Sequence, residues 1–291
     1  MLDIELGREG PPPIDAATVL CLRDSEAGLE VLCVERHQRS GFLGGAIVFP
    51  GGKLDPSDRD PRCLVGATRP VTPTQSIADD DATLAALVVA AARECFEEAG
   101  LLFHRGAKGD ETTRRAMRQR LAAKESFADL LAEYALALDL ARFVPFARWV
   151  TPVTERRRFD TRFYLARAPA DQIAVHDAHE TTSAFWATPS TVLARFARRE
   201  CAIFPPTHRS LELLERAASV DEALALASSL SLSTICPELV KHLDAPDAEE
   251  TLALVLPGDP AHSLGDAIVP GASRYVLRAD GQWLPFSRAA R

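Results

Sequence analysis

Two apolar runs, Ala16 to Leu22 and Leu29 to Val34, flank the turn-like stretch Asp24 to Gly28 and predict a hairpin over 16–36. Gly41, Gly44 and Gly45 mark a loop, and Ala46 to Phe49 predicts a short strand ending at Pro50-Gly51-Gly52. Residues 53–83 hold Pro56, Pro61, Pro70 and Pro73 and the acidic run Asp79-Asp80-Asp81, which reads as an irregular surface excursion. From Leu84 to Ala99 the period changes to that of a helix, with Leu84, Leu87, Val88, Ala91 and Cys95 on the face that should meet the core. An aspartate of the acidic run can cap its start, and Gly100 stops it.

A second helical pattern covers about 111–138. Strands are predicted at about 143–150, 159–168 and 181–187, and a helix at about 189–199. Strands alternating with helices argue for a layered α/β protein. Past residue 200 the rhythm differs: Thr207 to Leu230 reads as helical, Leu252 to Leu256 and Tyr275 to Leu277 as short strands, and Asp280-Gly281 as a hairpin turn before Trp283. Leu211, Leu214, Ala218 and Leu224 read as packing positions, and Trp283 and Phe286 as closing either the hydrophobic layer or a homodimer interface.

Composition narrows the function classes. Of the 291 residues, 47% are hydrophobic and 25% charged, ordinary values for a globular chain with a sizeable core. The net charge of −8 lacks the basic footprint of a general nucleic-acid binder. An acidic chain can still handle an anionic substrate when cations mediate the contact. Cys21, Cys33, Cys63, Cys95, Cys201 and Cys236 form no C-x-x-C pair and read as reduced thiols. The acidic N-terminus is unlike a secretory signal and no apolar run is long enough for a bilayer, so no membrane association and a cytoplasmic location are expected.

The segment with chemistry in it is Arg93-Glu94-Cys95-Phe96-Glu97-Glu98-Ala99-Gly100-Leu101. On a helix, Glu94, Glu97 and Glu98 stand at i, i+3 and i+4, where like charges repel, and near a C-terminus, where the macrodipole disfavours anions. A solvated helix end would tolerate that; bound Mg2+ or Mn2+, which takes oxygen ligands, would reward it.

With Gly52 upstream, this segment resembles the Nudix box, G-x5-E-x7-R-E-U-x-E-E-x-G-U, U being apolar. Arg93, Glu94, Cys95, Glu97, Glu98, Gly100 and Leu101 match its second half without a gap. The first half departs. Asp58 stands six residues after Gly52 where a glutamate is expected, and 34 residues rather than seven separate it from Arg93, an insertion of about 27 residues. Either Asp58 or an aspartate of the 79–81 run could take the role of that glutamate. Such an insertion resembles the Nudix subgroup related to the mammalian peroxisomal acyl-CoA diphosphatase. Phe42 to Asp55, Arg158-Phe159-Asp160-Thr161-Arg162-Phe163, Pro206-Thr207 and Leu256 to Pro260 look similar to that subgroup too.

The resemblance implies an α/β/α Nudix sandwich with a mixed sheet over residues 14–200, an insertion at about 59–83 before the catalytic helix, and a C-terminal extension, 201–291, packed on the core. It implies that Glu94, Glu97, Glu98 and the Gly51 carbonyl ligate Mg2+ or Mn2+, and that Arg93 holds a carboxylate by a bidentate pair. Glu180, six residues before Trp186, resembles the superfamily's distal acid, and either Glu94 or Glu180 would be the general base. The implied reaction is hydrolysis of a diphosphate linkage in a nucleotide-derived small molecule.

A CoA-associated pattern, L-[LF]-T-x-R-[SA]-x3-R-x3-G-x3-F-P-G-G, is met at Leu32, Arg36, Gly45, Phe49, Pro50, Gly51 and Gly52 and missed at Cys33, Val34, His37 and Gly41. Arg36 is then a candidate phosphate contact, with Arg39 standing near the missing second arginine; Arg158 and Arg162 are further substrate-binding candidates. CoA or acyl-CoA is the leading substrate, with 3',5'-ADP and a 4'-phosphopantetheine compound as products, and ADP-ribose or another nucleoside diphosphate derivative is the alternative. Other classes are a non-catalytic nucleotide-sensing Nudix module and an interaction protein built on the C-terminal residues; the three box glutamates favour an enzyme.

Overall fold

The computed structural model describes residues 3–37, 45–72, 77–106, 109–175, 181–243 and 250–286. The hairpin forms as β1 (Ile14–Ser25) and β2 (Gly28–Arg36), with Gly28 at φ +100° closing the turn. Two short strands follow, β3 (Ile47–Val48) and β4 (Gly51–Lys53). Two 3-10 turns, Pro56–Arg59 and Pro61–Leu64, then lead toward helix α1 (Asp81–Ala99).

Helix α1 begins where Asp80 accepts a hydrogen bond from the Thr83 amide and ends at Gly100, φ +71°. Leu84, Leu87, Val88, Ala91 and Cys95 are all buried, as the period requires.

After β5 (His104–Arg105) come α2 (Glu111–Ala122), α3 (Phe127–Glu133) and β6 (Ala137–Leu138). The single helix expected over 111–138 is thus two. Lys124 turns to φ 69°, and the Ser126 hydroxyl caps a fresh helix at the Asp129 amide.

Strands β7 (Val144–Val150), β8 (Phe159–Arg167) and β9 (Thr181–Ala187) and helix α4 (Pro189–Ala197) match the expected order. The helix expected over 207–230 is also divided, into α5 (Pro205–Leu214) and α6 (Val220–Ser229), because Ser219 caps a new start at the Glu222 amide. The chain ends in β10 (Thr234–Ile235), β11 (Glu238–His242), β12 (Thr251–Val255), β13 (Arg274–Leu277) and β14 (Trp283–Pro285).

The main sheet runs β10-β7-β8-β1-β2-β3, with β4 on β1 and β9 on β2. The pairs β1–β8 and β10–β7 are parallel and the others antiparallel, so the sheet is mixed. Alternate residues of β1 point to opposite faces. Ala17, Val19 and Cys21 pack with α1 and with Phe103, Phe127 and Phe143 in one core. Leu20 and Leu22 pack with α4, α5 and α6 in the other. This is an α/β/α sandwich. Residues after 200 enter it directly: β10 extends the main sheet, and Leu254, Tyr275 and Trp283 of the second sheet, β11-β12-β13-β14, join the second core. Leu211 and Leu214 are buried there, whereas Ala218 is exposed.

The stretch before α1 is less peripheral than its prolines suggest, since Asp58, Cys63 and Ile77 are buried. Among the described residues, all six cysteines are free thiols and no helix is long and apolar enough to cross a membrane.

Candidate active site

The turn Pro50-Gly51-Gly52 brings β4 back along β1, pairing Thr18 with Gly51 and Ala17 with Gly52. It also sets β4 against the last turns of α1. The Gly51 amide donates to Glu98 Oε2 at 3.0 Å. At Gly52 a Cβ would stand 2.4 Å from Glu94 Oε1, so a glycine there leaves room for that carboxylate.

Arg93 is the hub of the cluster. Its Nε and Nη2 donate to Asp58 Oδ1 and Oδ2 at 2.7 and 2.9 Å, while Nη1 donates to Glu94 Oε1 at 2.8 Å and Glu97 Oε1 at 3.0 Å. Nη2 also reaches the Lys53 carbonyl at 3.3 Å. Burial works against the charged guanidinium, but the Asp58 hydrogen bonds and the Glu94 charge outweigh it, so its pKa rises above the ordinary value.

Of the two candidates for the missing box glutamate, Asp58 is the partner of Arg93. Its Oδ2 also accepts the Asp55 amide at 2.8 Å, so both oxygens are committed. Asp80 serves the start of α1 instead.

Glu94 has unusual electrostatics. Burial pushes its carboxyl up to about 7, Arg93 pulls the other way, and the nearby Glu97 charge adds to the rise. Arg118 of α2 donates from Nε to the Glu97 carbonyl at 2.9 Å and from Nη2 to the Glu98 carbonyl at 3.1 Å. A cation at those C-terminal carbonyls eases the macrodipole's penalty on the glutamates. Sequence spacing gave no sign of this contact, which crosses between two helices.

A divalent cation would find a fitting chemistry here, because Glu94, Glu97 and Glu98 offer hard oxygen donors and the buried Glu94 carboxylate lacks a full counter-charge. Among the described residues the donors do not converge on one point: Glu94 and Glu97 turn toward Arg93, and Glu98 faces the Gly51 amide.

Glu94, Glu97, Arg93, Gly51 and Gly52 border a cavity of about 480 Å³, a size suited to a small organic ligand. Arg36 also borders it, with a buried Nε that makes no hydrogen bond among the described residues. Lys53 and Lys124 line it as well, and the sequence reading had singled out neither.

Arg158 and Arg162, expected as substrate contacts, lie outside that lining. The Arg158 guanidinium donates to the Thr151 and Pro11 carbonyls at 3.1 and 3.0 Å. Arg162 is buried, donating to the Ile77 carbonyl at 2.7 Å and to Asp15, and thereby pins the stretch before α1 to the sheet. Both guanidiniums are spent on holding the chain. Arg39 and Glu180 lie outside the described residues.

Comparison with known proteins gives the family and the fold. The family model of the NUDT19 Nudix domain matches residues 65–214. The acyl-coenzyme A diphosphatase NUDT19 of Gallus gallus is 29% identical over 300 residues, covering 87% of this chain and 75% of its own length. Its Xenopus laevis counterpart is 24% identical, covering 81% and 72%. A solved Nudix hydrolase from Alicyclobacillus acidocaldarius superposes with a TM-score of 0.64 and 31% identity, covering 76% of this chain and 97% of that one. A family match over more than half the chain, an α/β/α sandwich and a carboxylate helix clamped by Arg93 lead to one assignment: the chain belongs to the NUDT19 Nudix-domain family of hydrolases.

Proposed function

We propose that this hydrolase cleaves the diphosphate linkage of CoA or acyl-CoA, releasing 3',5'-ADP and 4'-phosphopantetheine or its acyl derivative, with Mg2+ or Mn2+ as cofactor. The observation that carries the reading is that one cavity is bordered by Glu94 and Glu97 and by Arg36, the arginine of the CoA-associated pattern. The acyl-coenzyme A diphosphatase activity for which the Gallus gallus and Xenopus laevis relatives are named supports the same substrate class.

Substitution at phosphorus needs charge neutralisation, a nucleophile and alignment. A divalent ion, when bound, would neutralise phosphoryl oxygens and make hydroxide available near neutral pH. Glu94, Glu97 and Glu98 are its proposed ligands, with the Gly51 carbonyl as a further oxygen. Arg93 fixes the rotamers of Glu94 and Glu97. Arg36 presents a guanidinium for phosphate recognition. A carboxyl titrating at about 7 suits Glu94 to take a proton at neutral pH. Glu180 is the other base consistent with the family pattern.

The test is hydrolysis by the purified chain, with and without Mg2+ or Mn2+, of CoA, acetyl-CoA, a longer acyl-CoA and ADP-ribose, with products identified by mass. Release of 3',5'-ADP from the CoA compounds is the expected result. Turnover of ADP-ribose alone would keep the chemistry and remove the CoA assignment, and no turnover of any compound would favour a nucleotide-sensing module.

A further inference from the structure

The cavity changes character across the sheet. Lys53 of β4 pairs with Ala16 of β1, Ala16 with Thr161 of β8, and Thr161 with Trp149 of β7. Three steps between neighbouring strands carry the lining about 14 Å from the edge beside Glu94. The cations Arg36 and Lys53 come from β2 and β4, at the carboxylate end.

Beyond β1 the floor is Phe159 and Phe163, with Thr161 between them on the same face, and Trp149 beside them. Val150, Thr151 and Pro152 continue the lining from the end of β7, and residues after 200 close it: Phe204 and Pro205 at the start of α5, Pro237, and Leu254 of β12. Its polar side-chain groups are the hydroxyls of Thr151, Thr161 and Thr207 and the Trp149 indole N–H, none of which carries a charge to offset phosphate. Val48 and Phe49 add apolar lining beside Arg36, but the strands beyond β1 contribute no charged side chain, so one end of the cavity holds cations and the other is uncharged and mostly apolar, which matches a molecule that is anionic in one part and aliphatic in another.

We propose that this apolar end binds the aliphatic chain of an acyl-CoA, and that residues after 200 thereby set the enzyme's preference for chain length. The inference rests on the CoA diphosphatase reading above. A purine is a weaker occupant, because base recognition pairs stacking with hydrogen bonds to base edges, and the side chains that could supply them here are three threonines and the Trp149 indole N–H.

The test compares kcat/KM for CoA, butanoyl-CoA and dodecanoyl-CoA in the wild type, in Thr161→Trp, which fills the floor, and in Phe204→Ala, which removes part of the wall. One methylene in an apolar pocket changes kcat/KM by about 10-fold or more. The dodecanoyl-CoA to CoA ratio should accordingly fall at least about 10-fold in Thr161→Trp and about 3-fold in Phe204→Ala. Ratios unchanged in both variants, whether or not the absolute rates fall, would overturn the inference and give this end to a part that CoA and acyl-CoA share. Should Thr161→Trp fail to fold, the half-exposed Phe204 carries the same test. Absence of CoA cleavage by the wild type would instead remove the proposed function itself, a result read separately from the ratios.

Discussion

Arg93 and Asp58 meet through two hydrogen bonds, Nε to Oδ1 at 2.7 Å and Nη2 to Oδ2 at 2.9 Å, between side chains that are 9% and 1% exposed. The pair joins the stretch before α1 to the carboxylate end of that helix. Removing Asp58 takes two charge-assisted hydrogen bonds from the buried guanidinium and leaves it Glu94 and Glu97 as carboxylate partners. Asp58→Ala should therefore cost about 2–3 kcal/mol in denaturant unfolding. It should also lower turnover, because Arg93 is then free to reorient away from Glu94 and Glu97. A loss of turnover without any loss of stability would instead make Asp58 a participant in the reaction.

The two adjacent glycines should respond differently to alanine. At Gly51 the new Cβ would stand 2.4 Å from the Ala17 carbonyl oxygen, a backbone atom in the middle of β1. Relief requires moving β4 off β1, so Gly51→Ala should destabilise by about 1–3 kcal/mol. At Gly52 the clash is with the flexible end of Glu94. That carboxylate is a side-chain end that can swing aside by giving up its Arg93 hydrogen bond, so Gly52→Ala should lose less stability than Gly51→Ala and lose turnover. Thermal unfolding and kcat/KM measured on both variants separate the two effects, and equal stability losses would contradict the assignment.

These contrasts bear on what the sequence discloses. The helix carrying Glu94, Glu97 and Glu98 was legible because its apolar period, its aspartate cap and Gly100 all agree. The breaks at Lys124 and Ser219 were not. A helix that restarts on a serine cap keeps the same apolar period on both sides, so periodicity alone reads straight through it. Arg158 and Arg162 misled for a different reason: an arginine beside a motif looks the same in sequence whether it faces a ligand or, like Arg162, the Ile77 carbonyl. The apolar end of the cavity was hidden because Trp149 and Phe163 come together through the pairing of β7 with β8, and Leu254 joins them in the wall from a second sheet.

The high carboxyl pKa of Glu94 has a consequence for stability that needs no substrate. Folding raises it from an ordinary 4.5 to about 7. Between those values the unfolded chain releases a proton that the folded chain keeps, so stability falls as pH rises through that window and levels off above it. With no divalent ion added, the protein should be less stable at pH 8 than at pH 5 by roughly 3 kcal/mol from this group. Glu94→Gln should remove that part of the slope. Mg2+ at pH 8 should restore stability in the wild type, by binding the folded state, and have little effect on the variant. Denaturant unfolding at the two pH values with chelator or Mg2+ measures all four quantities, and identical slopes in wild type and variant would sink the account.

Glu97 offers the cleanest test of the helix in the reaction. Its side chain is 31% exposed and receives one hydrogen bond from Arg93, which also holds Asp58 and Glu94. Exchanging its carboxylate for an amide of the same shape should change stability by no more than about 1 kcal/mol. As a proposed metal ligand facing the cavity, however, Glu97 contributes charge that an amide lacks. Changes to residues that merely hydrogen-bond a metal ligand already cost about 10- to 100-fold, so Glu97→Gln should lower Mg2+-dependent kcat/KM by at least about 100-fold. The loss should be accompanied by a higher Mg2+ concentration at half-maximal rate. Wild-type turnover in Glu97→Gln would remove Glu97 from the chemistry and leave Glu94, Glu98 and Glu180 to account for it.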